Sequence, residues 1–293
     1  HRALDAPFLI DGLTLQISAS VGSVLAPEHG DDAATLLQHA DVAMYQAKAT
    51  GSGTALYSPE VNPNSRAELQ LTSELRRAFS RDEIVLHYQP KLRLDSDEII
   101  GVEALCRWQH PERGLLFPDT FLRVIERSGM TRQLTSYVLN RALAQLRTWA
   151  DGGIDLRIAV NLSADDLLDD TLPVEIGGLL DHYGLLGSRL QLEVTENVFM
   201  AHPERVTAII SRLADHGVTL SLDDFGSGYS SLAHLRELSV EELKIDRGFV
   251  TNVVNDAFDT AVVRSTVGLA HSLALRVVAE GVETAETLTA LRE

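Results

Sequence analysis

Residues 220–225 read Leu-Ser-Leu-Asp-Asp-Phe, an apolar run that ends in two adjacent carboxylates, Asp223 and Asp224. Two like charges side by side at the end of a buried strand repel each other and lose hydration, so they need a compensating cation. The pattern recurs along the chain: Glu103 lies in VEALCRW, Asn161 in VNLS, Glu193 and Glu196 in EVTE, Lys244 and Asp246 in LKIDR, and Glu280 in AEGVE. A set of hard oxygen donors with one amide suits Mg2+ or Mn2+, and no cysteine or histidine cluster competes for zinc. Two divalent ions roughly 3.5–4 Å apart, bridged by a carboxylate, form the usual clamp for cleaving a phosphate ester. In that reading Asp223 bridges two ions, Asp224 binds the second, and the glycines at 226 and 228 let the next loop turn over the site. A divalent ion lowers the pKa of its water from 15.7 toward about 7, so such a site needs no histidine. His234 and His271 fall in helical stretches and read as surface or packing residues.

Each signal has a plainer reading when taken alone. An Asp-Asp pair is commonly a turn or a helix cap, the Asn of NLS a loop-start cap, Lys244 a surface charge and Glu280 a partner of a helix dipole. What argues for chemistry is their recurrence at the ends of successive strands. From about Ser65 the apolar segments IVLHYQP, IIGVEALCRW, LRIAVNLS, LQLEVTE, TLSLDDF, ELKIDRGFV and RVVAEGVE are separated in the later part by helical stretches such as 131–150, 203–216 and 259–273. Strand–helix alternation predicts a parallel sheet, and this many units without a dinucleotide-type glycine fingerprint predict a barrel, which carries its chemistry at the C-terminal ends of its strands. The first two strands are joined only by KLRLDSDE, too short for a parallel crossover, so they should form an antiparallel hairpin.

The first 58 residues differ. Residues 6–24 predict two extended segments about Ile10-Asp11-Gly12, and 31–50 predict a helix capped by Asp31 or Asp32, with Leu36, Leu37, Ala40, Val42, Ala43 and Ala47 apolar and Gly51 stopping it. TALYS predicts a short strand, and the Pro-, Asn- and Ser-containing stretch SPEVNPNSRAE a linker, placed at 59–66, that leads into a helix. The chain of 293 residues is 45% hydrophobic, enough for a sizeable core, and carries 25 basic against 42 acidic residues, a net charge of −17. Such an acidic surface excludes non-specific binding to duplex nucleic acid. Cys106 is the one cysteine, so no internal disulfide forms and a reducing cytoplasmic setting is expected. No apolar run has the length of a membrane span, and a chain that begins at His1 reads as a piece of a longer polypeptide.

The segments EALCRW (103–108), NLS (161–163), EVTE (193–196), DDFGSGYSS (223–231), KIDRGFV (244–250) and EGVE (280–283) together resemble the EAL-domain cyclic-di-GMP phosphodiesterases of bacteria, over about residues 67–293. The resemblance implies an α/β fold, a modified TIM-like barrel with an antiparallel first strand. It implies hydrolysis of cyclic-di-GMP to linear pGpG with two Mg2+ or Mn2+ ions. On that basis Glu103, Asn161, Glu193 and Asp223 hold one ion, Asp223 and Asp224 the other, and Asp246 supports the second. Lys244 contacts the attacking water and Glu280 holds a water or metal-linked network. Gln89 and Arg107 meet the substrate, Arg107 at a phosphate, and Glu283 contacts a guanine. Glu196 anchors the loop carrying Gly226, Ser227, Gly228 and Tyr229, which in the family couples the metal site to a homodimer interface. A non-catalytic cyclic-di-GMP receptor is the alternative, and a structural or interaction module a more distant one. Residues 1–58 resemble the closing third of a GGDEF, diguanylate cyclase-like domain without its signature, so no cyclase activity is expected of this piece. The chain stops at Glu293, before the strand with which family members close the barrel, so ion binding with slow hydrolysis is expected.

Overall fold

The computed structural model describes residues 8–10, 13–15, 19–49, 52–58, 62–195, 198, 202–226 and 240–292. They form two compact units, His1–Glu83 with Asp119–Gly129, and Ile84–Pro118 with Met130–Glu293.

In the first unit β1 (Phe8–Ile10) pairs antiparallel with β2 (Leu13–Leu15), in keeping with the two extended segments expected there; Asp11, Gly12 and Gly51 lie outside the described residues. β3 (Val21–Ser23) pairs parallel with β4 (Thr54–Leu56) across helix α1 (Ala33–Ala49). Asp32 caps α1, accepting the Thr35 N–H at 3.0 Å and its hydroxyl at 2.6 Å. These bonds hold the Asp32 carboxyl below its ordinary range. Val42, Ala43 and Tyr57 make a small core, whereas Leu37, expected on the apolar face, is 72% exposed. Helix α2 (Asn62–Ser80) starts inside the stretch expected to be a linker, because a proline in the first helical turn removes no helix hydrogen bond. Helix α3 (Pro118–Arg127) buries Phe121, Val124 and Ile125.

The second unit opens with the expected hairpin: β5 (Ile84–Leu92) runs antiparallel to β6 (Ile99–His110), and β7 (Gly114–Leu116) returns along β6. Parallel strands then alternate with helices: α4 (Thr131–Asp151), β8 (Arg157–Asn161), α5 (Leu172–Tyr183), β9 (Leu190–Thr195), α6 (Pro203–Asp215), β10 (Thr219–Phe225), β11 (Val240–Ile245), α7 (Arg247–Thr251), α8 (Ala257–Ser272), β12 (Arg276–Ala279) and α9 (Ala285–Arg292). The strand order is β12-β11-β10-β9-β8-β6-β5. Laid flat, β11 and β5 would stand about 24 Å apart at the usual spacing of about 4.8 Å per strand. Yet Lys91 of β5 donates to Glu242 of β11 at 2.9 Å, so the sheet curls into a half-barrel. Among the described residues neither β5 nor β12 has a second strand partner.

The strands obey a two-residue alternation. Leu192, Val194, Leu220, Leu222, Leu243 and Ile245 are buried and apolar. Between them stand Gln191, Glu193, Ser221, Glu242 and Lys244, buried although polar, which point into the half-barrel, where Lys91 donates to Gln191 and Glu193, Ser221 to Glu242 and Lys244 to Glu193. The apolar face builds the core with the helices, and the polar face is left for chemistry.

Candidate functional site

Lys244 is the centre of the arrangement. Its side chain is 1% exposed, and its Nζ lies 2.6 Å from Glu280 Oε1, 2.7 Å from Glu193 Oε2, and 3.2 Å from Glu103 Oε2 and Asp223 Oδ2. A surface charge is therefore excluded. Burial alone would depress the ammonium, but Glu193, Glu103, Asp223 and Glu280 outweigh it and hold Lys244 far above its ordinary range. In the carboxylates burial is the dominant effect. Burial, then the nearby Glu103 charge, pushes Glu193 up against the pull of Lys244 and Lys91, and burial also raises Glu280.

Strand register places these groups side by side. Asn161 is opposite Glu193 on β8 and β9, Glu193 is opposite Ser221 of β10, and Lys244 of β11 is opposite Val278 of β12. Asn161 Nδ2 donates to Glu103 Oε1 at 2.8 Å, which leaves the amide oxygen as the atom to offer a cation. Glu103 is not at a strand end as expected. It sits in the middle of β6, which runs on to His110 because β7 pairs with its second half. It reaches the rim because its parallel neighbour β8 stops at Asn161.

Asp223 and Asp224 answer the problem of adjacent carboxylates. In a regular strand consecutive side chains point to opposite faces. Here the β10–β11 register jumps from Leu222↔Leu243 to Phe225↔Ile245, one extra residue on β10, and Asp224 takes φ +55°. Such a bulge, with an aspartate tolerating the left-handed region, turns both carboxylates toward one side. Ligand oxygens of Asp223, Asp224 and Glu280 lie within 4.8 Å of one another. Burial, then Asp223 and Asp246, pushes the Asp224 carboxyl up. Asp246 caps α7, accepting the Gly248 N–H at 2.8 Å, and also faces Asp224.

A cleft of about 1940 Å³ runs along the open side of the half-barrel, lined by Gln89, Glu103, Asp223, Lys244, Glu280 and Glu283 among others. Gln89, opposite Glu103 in the hairpin, and Glu283, in the loop after β12, are exposed to it. Arg107 does not join this lining. It follows Glu103 by four residues on β6, its Nη1 donates to the Cys106 carbonyl at 2.8 Å, and its guanidinium lies 4.8 Å over the Phe117 ring. Gly226, at φ +95°, directly follows β10. Glu196, Ser227, Gly228, Tyr229 and His234 lie outside the described residues. His271 is exposed near the end of α8.

Sequence reading missed a second polar layer beneath the rim: Lys91 of β5, Gln191, Ser221 and Glu242. Three of them carried a signal, each standing two residues before a rim residue on its strand (Glu193, Asp223 and Lys244) and so on the same face. Among the described residues no helix is long and apolar enough to cross a membrane.

Residues 72–293 match the EAL domain model, and residues 1–54 match the model of the GGDEF diguanylate cyclase domain. The bifunctional diguanylate cyclase/cyclic di-GMP phosphodiesterase MucR of Pseudomonas aeruginosa is 42% identical over 285 residues, which are 97% of this chain and 42% of that protein. The cyclic di-GMP phosphodiesterase PdeR of Escherichia coli is 38% identical over 284 residues, 97% of this chain and 43% of that protein. The chain thus spans about two fifths of the length of the curated relatives it matches. Among solved structures, the PaMucR phosphodiesterase in complex with c-di-GMP shares 44% identity at a TM-score of 0.73, covering 76% of this chain and 90% of that one. The EAL enzyme Bd1971, in its cAMP- and cyclic-di-GMP-bound form, shares 28% identity at a TM-score of 0.74, covering 90% and 70%.

Proposed function

The chain belongs to the EAL-domain family, and we propose that it hydrolyses one phosphodiester bond of cyclic-di-GMP to give linear pGpG, using two Mg2+ or Mn2+ ions. The observation that carries this reading is the ring of carboxylates around the buried Lys244, open to a cleft large enough for a dinucleotide. The donor set fits hard divalent ions, because it offers carboxylate oxygens and one amide oxygen. Glu103, Asn161, Glu193 and Asp223 would hold one ion, and Asp223 and Asp224, supported by Asp246, the other. When bound, such ions activate water and neutralise charge on the phosphoryl oxygens.

The chain's own groups do the rest. Lys244, whose Nζ is tied to Glu280 at 2.6 Å, would contact the attacking water, and Glu280 would accept a hydrogen bond from that water. The water oxygen forms the new P–O bond as the P–O bond to the ribose 3′ oxygen breaks; the water gives up a proton, the 3′ oxygen takes one up to leave as a hydroxyl, and the phosphate stays on the 5′ side. Gln89 and Glu283, which both line the cleft, would hold the substrate, Glu283 at a guanine. Arg107 stands about 13 Å beyond Glu103 at the usual strand rise, and would take a phosphate on the far side of the ring. Its guanidinium is backed by Phe117.

We read the protein as cytoplasmic, given its lone Cys106, and as a homodimer formed through the loop that starts at Gly226 and includes Ser227, Gly228 and Tyr229, anchored by Glu196. Sedimentation velocity at high concentration with metal and nucleotide tests the dimer, and a monomer alone would refute it. The activity is tested by incubating the whole chain with cyclic-di-GMP and Mn2+ and resolving the products by chromatography. Appearance of pGpG is the expected result. Tight binding without product would mean a receptor instead, and absence of binding would refute both.

A further inference from the structure

Beneath the rim, Lys91 enters the half-barrel from β5. Its Nζ donates to Gln191 Oε1 at 2.9 Å, Glu193 Oε1 at 2.7 Å and Glu242 Oε1 at 2.9 Å, so all three ammonium protons are used. Glu242 Oε1 also accepts the Ser221 hydroxyl at 3.1 Å, and Arg276 Nε lies 3.7 Å from Glu242 Oε2. The Lys91 and Glu242 side chains are 11% and 5% exposed, and that of Glu193 is 0%.

The consequence falls on Glu193. Its two oxygens are divided between two lysines, Oε1 on Lys91 from below and Oε2 on Lys244 at the rim. A carboxylate free to swing could offer a cation either oxygen or both. One whose lower oxygen is pinned presents only the upper. A flexible glutamate also loses rotamer freedom on binding an ion, and this one has already lost it in the fold.

We propose that Lys91 is a positioning residue for the metal site: by pinning Glu193 Oε1 it presents Oε2 as a single-oxygen ligand, and so sets divalent-ion affinity without touching ion or substrate. Glu242 and Gln191 fix Lys91 in turn. This rests on the reading of Glu193 as a metal ligand.

The test uses the full chain, with Mn2+ affinity measured by calorimetry in the absence of nucleotide. Lys91→Met keeps an unbranched side chain and removes every N–H. The double variant Lys91→Met/Glu242→Gln keeps the interior charge balance, and so guards against a simple failure to fold. Both should bind Mn2+ about 10- to 100-fold more weakly than wild type, the usual cost of losing a group that orients a ligand. Hydrolysis should recover at saturating Mn2+, with kcat close to wild type, because Lys91 acts through Glu193 alone. Glu193→Gln is measured alongside. If it leaves Mn2+ affinity unchanged, the metal-site reading fails and takes the proposal with it. If Glu193→Gln weakens binding but the folded Lys91 variants stay within about threefold of wild type, below the range for orienting groups, Lys91 only balances buried charge and the positioning role alone is overturned. Failure of both Lys91 variants to fold would likewise make the lysine purely structural.

Discussion

Replacing Lys244 by methionine removes the one ammonium shared by four carboxylates while keeping most of its volume. The side chain is 1% exposed, with Glu280 and Glu193 at 2.6 and 2.7 Å and Glu103 and Asp223 at 3.2 Å. Removing one partner of a buried ion pair typically costs about 3–5 kcal/mol. The stranded carboxylates can relieve part of this by taking up a proton. For a glutamate of ordinary pKa near 4.3, at about 1.36 kcal/mol per pH unit, that costs about 3.7 kcal/mol at pH 7 and about 1 kcal/mol at pH 5. A carboxyl whose folded pKa is raised destabilises the fold as pH climbs above its unfolded value, so the deficit is full at neutral pH and shrinks toward pH 5. At about 2–4 °C per kcal/mol for a unit of this size, the metal-free variant should melt about 7–15 °C below wild type at pH 7 and within about 4 °C of it at pH 5. Differential scanning fluorimetry in EDTA at the two pH values reads this directly. Adding Mn2+ should then raise the melting temperature of the variant more than that of wild type, because the ion no longer competes with an ammonium for Glu193, Glu103 and Asp223. Hydrolysis should be lost. Equal melting temperatures in EDTA at pH 7, or a deficit that grows on acidification, would refute Lys244 as an internal counter-cation.

Asp223→Asn should abolish metal-dependent hydrolysis and weaken Mn2+ binding with the circular dichroism spectrum unchanged, and near wild-type product formation by chromatography would contradict the bridging role. Asp166 is 2% exposed and accepts the Thr135 hydroxyl at 2.8 Å, the Ser163 hydroxyl at 2.7 Å and the Ser163 N–H at 3.0 Å. Asp166→Ala should therefore cost about 2–3 kcal/mol in urea denaturation, and a loss below about 0.5 kcal/mol would count against that network. Burial pushes the Cys106 thiol up to about 12, so a disulfide reagent at pH 8 should modify it only as the protein unfolds, and rapid labelling of the native protein would contradict this.

Much of the frame was legible because it follows from local rules. The eight residues KLRLDSDE are too few for a parallel crossover, and β5 and β6 do form a hairpin. Helices 131–151, 203–215 and 257–272 fall within two residues of the stretches read from periodicity. The rim was legible because each of its polar residues stands beside apolar ones in a strand pattern. The misplacements have equally local causes. Leu37 fits an apolar stripe, but nothing in the stripe says how far the covering layer extends. Glu103 is expected at a strand end only by analogy with the other rim residues, whereas pairing with β7 carries the strand on to His110.

What stayed illegible depends on partners far along the chain. No local rule turns two consecutive aspartates to one side of a strand. The extra residue opposite β11 does that, and it exists only once β10 and β11 are in register. Lys91 is the sharper case. In YQPKLRLDSDE it follows a proline and precedes a charged turn, where a lysine ordinarily faces water. Its three partners lie 100 to 151 residues away, and it meets them only because the sheet curls. Alternation does single out Gln191, Ser221 and Glu242 as facing inward with the rim, and an interior layer that holds Glu193 and Glu242 as anions must find a cation somewhere. That need follows from residues on three parallel strands, but which lysine meets it does not. The antiparallel first strand meets it from the opposite side of the half-barrel, and so brings Lys91 to the lower face of the same glutamate that Lys244 holds from above.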